Sequence, residues 1–355
     1  MITPPLLHKG DKVEIVATAR KVTLSDIAKG VEILQSWGLK VVFADNLFEE
    51  DNQFAGTDEM RAADLQKAIN DRDIKAVFCA RGGYGTVRII DRIDFSSLLE
   101  SPKWIIGFSD VTVIHNKLNN LGIESLHAPM MTTIADATPE SKNALRKVLF
   151  GIDSETDEQQ GKCETISYTA TVETSKTANR KGTATGEVVG GNLSMLYSQI
   201  GSDSDINTID KILFIEDLDE YLYHIDRMMM SLKRSGKLEH LKGLIVGAFS
   251  DMHDNTVPFG KTAEEIIMDA VKDYDYPVCF NMPFGHISNN MPITLGRKVT
   301  MNVGDKEVSL NFEDKGAGTD RKAQFKQFSV SVMWFIIFFV IAVLLGFLAR
   351  YILNN

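Results

Sequence analysis

The first 150 residues alternate short apolar runs with amphipathic segments, and few architectures accommodate that alternation. "VEIVATA" (13–19), "LKVVFA" (39–44), "IKAVFCA" (74–80) and "KWIIGF" (103–108) read as strands bounded by turn or charge signals. Residues 24–37, 58–70 and 86–92 lie between them and carry helical spacing and helix formers. Alternation at this interval implies right-handed βαβ units and a parallel sheet. Such sheets place their chemistry at the carboxyl ends of the strands. Two loops fall there, "ARGGYG" (80–85) and "GFSD" (107–110).

At Gly151 the texture changes to a polar, threonine-rich stretch that continues to Lys181, and a domain boundary is expected near its start. The second half runs through "GEVVGGNLSMLYSQI" (186–200), the strand "KILFIED" (211–217), a helix near 224–235 and "LKGLIVGAFSD" (241–251). A further helix (262–273), "YPVCFNMPFGHISNNMPITLG" (276–296) and two late strand-like runs complete it. This half is richer in strand than the first. The expected division is residues 1–150, residues 151–312, a polar linker at 313–327, and a final apolar segment at 328–348.

That last segment, "FSVSVMWFIIFFVIAVLLGFL", holds no charge and as a helix would be ~31 Å long, about the thickness of a bilayer core. A single-pass membrane anchor is therefore expected. Arg321, Lys322 and Lys326 precede it and only Arg350 follows, which by the positive-inside rule leaves the large N-terminal part facing the cytoplasm. The N-terminus shows no basic region followed by an apolar core, so no secretory signal is expected. With a net charge of −10 and no basic patch, a nucleic-acid partner is disfavoured. Cys79, Cys163 and Cys279 are widely spaced, and Cys79 and Cys279 lie in apolar runs. Buried free thiols fit better than a disulfide framework or a zinc site.

Ser109 could be a nucleophile on a strand-to-helix corner, where the first amides of the following helix face a developing oxyanion. It could equally be a turn residue beside a helix-capping Asp110; Val111 replaces the second glycine of a Gly-x-Ser-x-Gly elbow. The three glycines of "RGGYG" lack the Lys-Ser/Thr of a phosphate-binding loop, so an oxyanion-hole or substrate-cradling loop fits better than a phosphate site. Among seven histidines, His115 reads as helical, His127 as a strand end, and His224 and His240 as residues of polar helix surfaces. His286 stands in an irregular segment between Pro283 and Pro292, free to reach a site built by another element. "KILFIEDLDE" closes an apolar strand on Glu216 and Asp217, either of which could orient an imidazole.

Together, "RGGYG", "GFSDVT", "GGNLSML", "LFIEDLDEYLYHIDRM" and "NMPFGH" resemble the LD-carboxypeptidases, the serine peptidase family that includes muropeptide-recycling enzymes and microcin C immunity hydrolases. The likeness covers nearly all of residues 5–310. It implies Ser109 as nucleophile, His286 as general base and Glu216 as the acid orienting it, with the backbone amides of Gly83 and Asp110 forming the oxyanion hole. It also implies an N-terminal flavodoxin-like or amidotransferase-like α/β domain followed by a smaller β-rich α/β domain. The substrate implied is a murein tetrapeptide losing its terminal D-alanine, with no metal or cofactor, and a homodimer is common in the family. A microcin-type hydrolase of aminoacyl-nucleotide conjugates and a non-catalytic membrane-tethered binding protein are the alternatives. The membrane segment is not part of the usual family pattern.

Overall fold

In the computed structural model, which describes residues 1–151, 167–171 and 179–313, the strand and helix segments assemble around two sheets. Strands β1 (Lys12–Val16), β2 (Lys40–Phe43), β3 (Ile74–Cys79), β4 (Trp104–Gly107) and β5 (Ser125–His127) lie parallel in the spatial order β5-β4-β3-β1-β2. This is the flavodoxin-like order. The parallel sheet is covered on both faces, which is why β3 reads as an apolar run after Lys75: Ala76, Val77, Phe78 and Cys79 have no exposed surface.

Helices α1 (Leu24–Ser36), α2 (Asp58–Asn70), α3 (Ser97–Glu100) and α4 (Thr112–Asn120) belong to the crossovers between these strands. Thr23 and Asp26 form a capping box that starts α1, and the Thr57 hydroxyl accepts from Met60 N–H to start α2. Such caps contribute about 1 kcal/mol each. Ile27 and Leu34, seven residues apart on α1, are fully buried, each worth ~1.5–3 kcal/mol. Residues 86–92 are not the helix expected of them. They form two 3₁₀ turns, Thr86–Arg88 and Ile90–Arg92, because so short a segment, entered from Gly85 without a side-chain cap, does not sustain an α-helical nucleus.

After α5 (Pro139–Phe150) the chain builds a second sheet. Its strands are β6 (Ser167–Thr171), β7 (Gly182–Asn192), β8 (Ile212–Leu218), β9 (Gly243–Ser250) and β10 (Val278–Cys279), then, beyond β11 (Ile293–Leu295), β12 (Lys298–Val303) and β13 (Glu307–Phe312). The order is β10-β9-β8-β7-β12-β13-β6, parallel from β7 to β10 and antiparallel from β7 outward through β12. Helices α6 (Leu193–Ser198), α7 (Leu222–Arg234) and α8 (Ala263–Ala270) pack on one face, burying Leu193, Ile225, Met228, Met229 and Ile267. Strand β11 leaves this sheet and pairs antiparallel with β5, Ile293 opposite His127, as the sixth strand of the first sheet.

The membrane-spanning helix in the expected architecture is corrected. Among the described residues no helix is long and apolar enough to cross a membrane. The longest of them, α1, α2 and α7, have 13 residues, about 20 Å against the ~30 Å of a bilayer core, and each carries charges on its outer face. The apolar run at 328–348 lies outside the described residues. By its contacts the chain divides into a unit Met1–Asp314 and a second, Lys315–Asn355, which also falls outside them. Cys79 and Cys279 are buried free thiols, as their apolar surroundings required; Cys163 is outside the described residues.

Candidate active site

Strand β4 is wholly buried and ends on Gly107, after which the chain turns sharply. Ser109 takes up a left-handed conformation at φ +63°, costly for a residue with a Cβ, and opens a 3₁₀ turn, Ser109–Val111, that leads into α4. The glycine loop from the end of β3 lies against it. A Cβ on Gly82 would come within 3.0 Å of Ser109 Cβ and 3.1 Å of its Oγ, so the backbone reaches the hydroxyl only because that residue has no side chain. Gly83 follows in the same loop, beside the Arg20 side chain.

Asp110 does not cap α4. The 3₁₀ turn places Val111 at the cap position, without a side-chain cap, and the Asp110 carboxylate points back to accept the Thr86 N–H at 2.8 Å. It thereby ties the end of the glycine loop to the turn that holds Ser109. Burial pushes its carboxyl pKa up, against the lowering effect of the Thr86 hydrogen bonds.

Strand β8 carries the acids. Glu216 is completely buried, and its Oε2 pairs with His286 Nδ1 at 2.7 Å across 70 residues of sequence. Asp217 takes different partners: Asn192 Nδ2, Ser194 N–H and the Ser194 hydroxyl, each at 2.9 Å. Burial, then the charge of Glu216, pushes Asp217 up to about 6. His286 sits on the loop between β10 and β11. Burial would lower its pKa, but the charge and hydrogen bond of Glu216, with the charge of Asp217, prevail and raise it. Gly285 makes the approach possible: at φ +111°, a Cβ there would lie 2.7 Å from Glu216 Oε2. Its N–H donates to Asn290 Oδ1 at 2.9 Å.

The two halves meet at Phe108, the neighbour of Ser109, whose ring lies 4.7 Å from the His286 ring. Phe108 and His286 line a cavity of about 320 Å³ together with Pro129, Thr132 and Asp136. The structure therefore brings together the segments of Ser109, Gly83, Asp110, Glu216 and His286. Of the other histidines, His127 also packs on Phe108 but is sealed from solvent, with both ring nitrogens unpaired among the described residues. His115 is fully buried, bonded to Ser125 Oγ and Gly107 O at 2.9 Å each, and burial pushes it down to about 4. His127 ends β5 between the Phe108 and Phe214 rings, and burial holds its pKa well below the usual imidazole range. His224 pairs with Glu220 at the start of α7, and His253 with Asp219.

Sequence reading missed Asn290 and the Asn192 and Ser194 partners of Asp217, and gave Gly285 no role beyond preceding His286. The "GGNLS" run and the asparagine pair after His286 were their signals, but neither reveals which carboxylate it serves. Among the described residues no group of three or more His, Cys, Asp or Glu side chains is placed to hold a metal ion. The arrangement suits nucleophilic attack assisted by an imidazole whose tautomer a buried carboxylate fixes.

Known proteins resemble this chain in sequence and in fold. Residues 13–128 match the LD-carboxypeptidase N-terminal domain and residues 185–301 the LD-carboxypeptidase C-terminal domain. A probable murein peptide carboxypeptidase of Bacillus subtilis is 36% identical over 316 residues, covering 86% of this chain and 93% of the relative. The crystal structure of muramoyltetrapeptide carboxypeptidase from Oxalobacter formigenes superposes with a TM-score of 0.74 at 26% identity, covering 85% of this chain and 99% of that one. The microcin C7 self-immunity protein MccF shares the fold, with a TM-score of 0.75 at 21% identity over 88% of this chain and 99% of its own. With both domain matches in order and a relative this similar across most of its length, the chain belongs to the LD-carboxypeptidase family.

Proposed function

We propose that this carboxypeptidase removes the terminal D-alanine from murein tetrapeptides, cleaving after the L-configured centre of a diamino acid through an acyl-enzyme. The observation that carries the reading is the His286–Glu216 pair at 2.7 Å, built from distant parts of the chain onto a ring that touches the neighbour of Ser109. The names of the Bacillus and Oxalobacter relatives supply the substrate class.

In this reading Ser109 Oγ attacks the carbonyl carbon of the terminal peptide bond and its proton passes to His286 Nε2. The carbonyl oxygen becomes an oxyanion facing the backbone N–H groups of Gly83 and Asp110. His286 then gives its proton to the departing D-alanine nitrogen, leaving an ester on Ser109. Water, losing a proton to the same nitrogen, attacks the ester, and collapse returns the proton to Ser109. Glu216 accepts the hydrogen bond from Nδ1–H throughout and offsets the imidazolium charge.

D-alanine release from a tetrapeptide, measured for the wild type and for Ser109→Ala, tests this. Loss of a serine nucleophile is expected to lower kcat by roughly 10⁴-fold or more, with stability within about 0.5 kcal/mol of wild type. A variant that keeps wild-type turnover removes Ser109 from the role. A folded wild type that releases no D-alanine, yet hydrolyses an aminoacyl-sulfamoyl nucleotide, moves the substrate to the immunity-hydrolase class.

A further inference from the structure

The cavity beside His286 has a shape and charge that the reaction alone does not explain. Its apolar wall is Phe108, Pro129 and Ile287, and its polar rim is Thr132, Thr133, Asp136 and Ser288. Asp136 and His286 are the ionisable side chains among the described residues that line it. The two segments forming it are stitched together: Thr138 N–H donates to Ser288 O at 2.9 Å, the Thr138 hydroxyl to Asn289 Oδ1 at 2.8 Å, and the Ser141 hydroxyl to Asn290 O at 2.5 Å. This is a formed pocket with one anionic group at its exposed edge.

A substrate cleaved at its last peptide bond has two parts that could enter. The leaving D-alanine offers a methyl and a carboxylate. A volume of about 320 Å³ far exceeds a methyl group, and the carboxylate would face Asp136 with like charge. The residue contributing the attacked carbonyl has a side chain of the opposite character. If it is a diamino acid, it carries a methylene stem suited to Phe108, Pro129 and Ile287, and an ammonium suited to Asp136.

We infer that this cavity is the subsite for the side chain preceding the scissile bond, and that Asp136 is a specificity-determining residue that pairs with its terminal ammonium. The inference rests on the carboxypeptidase reading given above. Thr132, Thr133 and Ser288 bring hydroxyls to the same rim, where the remaining ammonium hydrogens can be shared.

Two tetrapeptides that differ only at the third residue, L-lysine or Nε-acetyl-L-lysine, separate charge from length. Full-length wild type and Asp136→Asn are assayed for D-alanine release from each. Wild type is expected to favour the free amine by about fivefold in kcat/KM, the upper range for an ion pair with one partner at the rim. Asp136→Asn is expected to lose that preference through a lower kcat/KM on the free amine, and Asp136→Glu to retain part of it. Equal wild-type rates on the two peptides, or a preference unchanged in Asp136→Asn, overturns the assignment while leaving the reaction intact. If wild type releases D-alanine from neither peptide, the carboxypeptidase reading fails and takes the subsite with it.

Discussion

Glu216 is a carboxylate without solvent contact, and its charge is useful because an imidazole nitrogen lies 2.7 Å away. His286 is raised above the ordinary imidazole value of about 6.5 because Glu216 and Asp217 favour its protonated form more than burial disfavours it. A general base must be neutral to accept a proton, so activity should fall as pH drops through this raised value. Glu216→Gln removes the charge that stabilised the imidazolium, which lowers the histidine pKa. The acid limb of kcat/KM against pH should then move to lower pH, while the plateau drops by about 10²- to 10⁴-fold. A limb that stays in place, or moves up, excludes Glu216 as the partner that sets the histidine charge. Gly285 is the second residue on which this contact depends. Gly285→Ala forces a Cβ against Glu216 in a left-handed backbone, and is expected to cost ~1–3 kcal/mol of stability together with most of the activity. Denaturant unfolding and D-alanine release on the same variant check both.

The elements that carry these residues were largely legible from periodicity. The strand runs at 13–19, 39–44, 74–80 and 103–108 became β1 to β4 with trimmed ends, and α2 occupies the expected 58–70. Apolar spacing reports burial, and burial in a two-faced parallel sheet is what those runs express. Helix α5 went unread although Thr138 and Pro139 mark its start, a cap and a first-turn proline that a reading centred on apolar runs passes over. Ser109 and His286 were visible as residues, one on a corner and one in an irregular loop. That Glu216 and not Asp217 meets the histidine was not readable from the strand itself. Neighbours on a strand face opposite sides, and only the partner elements, α6 and its Asn192 cap against the His286 loop, distinguish the two. The family motifs resolved it where local chemistry left both open. The left-handed φ at Ser109 had no sequence signal either, since serine is not the residue that conformation selects.

On the scale of the whole molecule, the least readable feature was the return of β11 to the first sheet. Three residues, "ITL", hold no pattern that names β5 as their partner. A buried ion pair reinforces the junction: Arg297 Nη2 meets Glu124 Oε2 at 2.7 Å, joining the residue before β5 to the turn after β11. Both side chains are almost wholly buried, so removing one takes an ion-pair partner from the other's buried charge. Arg297→Met is expected to cost about 3–5 kcal/mol, with most of it regained in the double variant Glu124→Leu/Arg297→Met. Urea unfolding of the single and double variants measures this directly, and a double variant as unstable as the single would show that packing, not charge, dominates. The same return has a consequence for the loop carrying His286. That loop leaves β10 in one sheet and arrives at β11 in the other, so its imidazole is hung between two frames that pack within one unit. Any slippage of one frame against the other lengthens or shortens its span, and the 2.7 Å contact with Glu216 has little slack to absorb the change. The alignment of two sheets is thereby converted into the alignment of one proton.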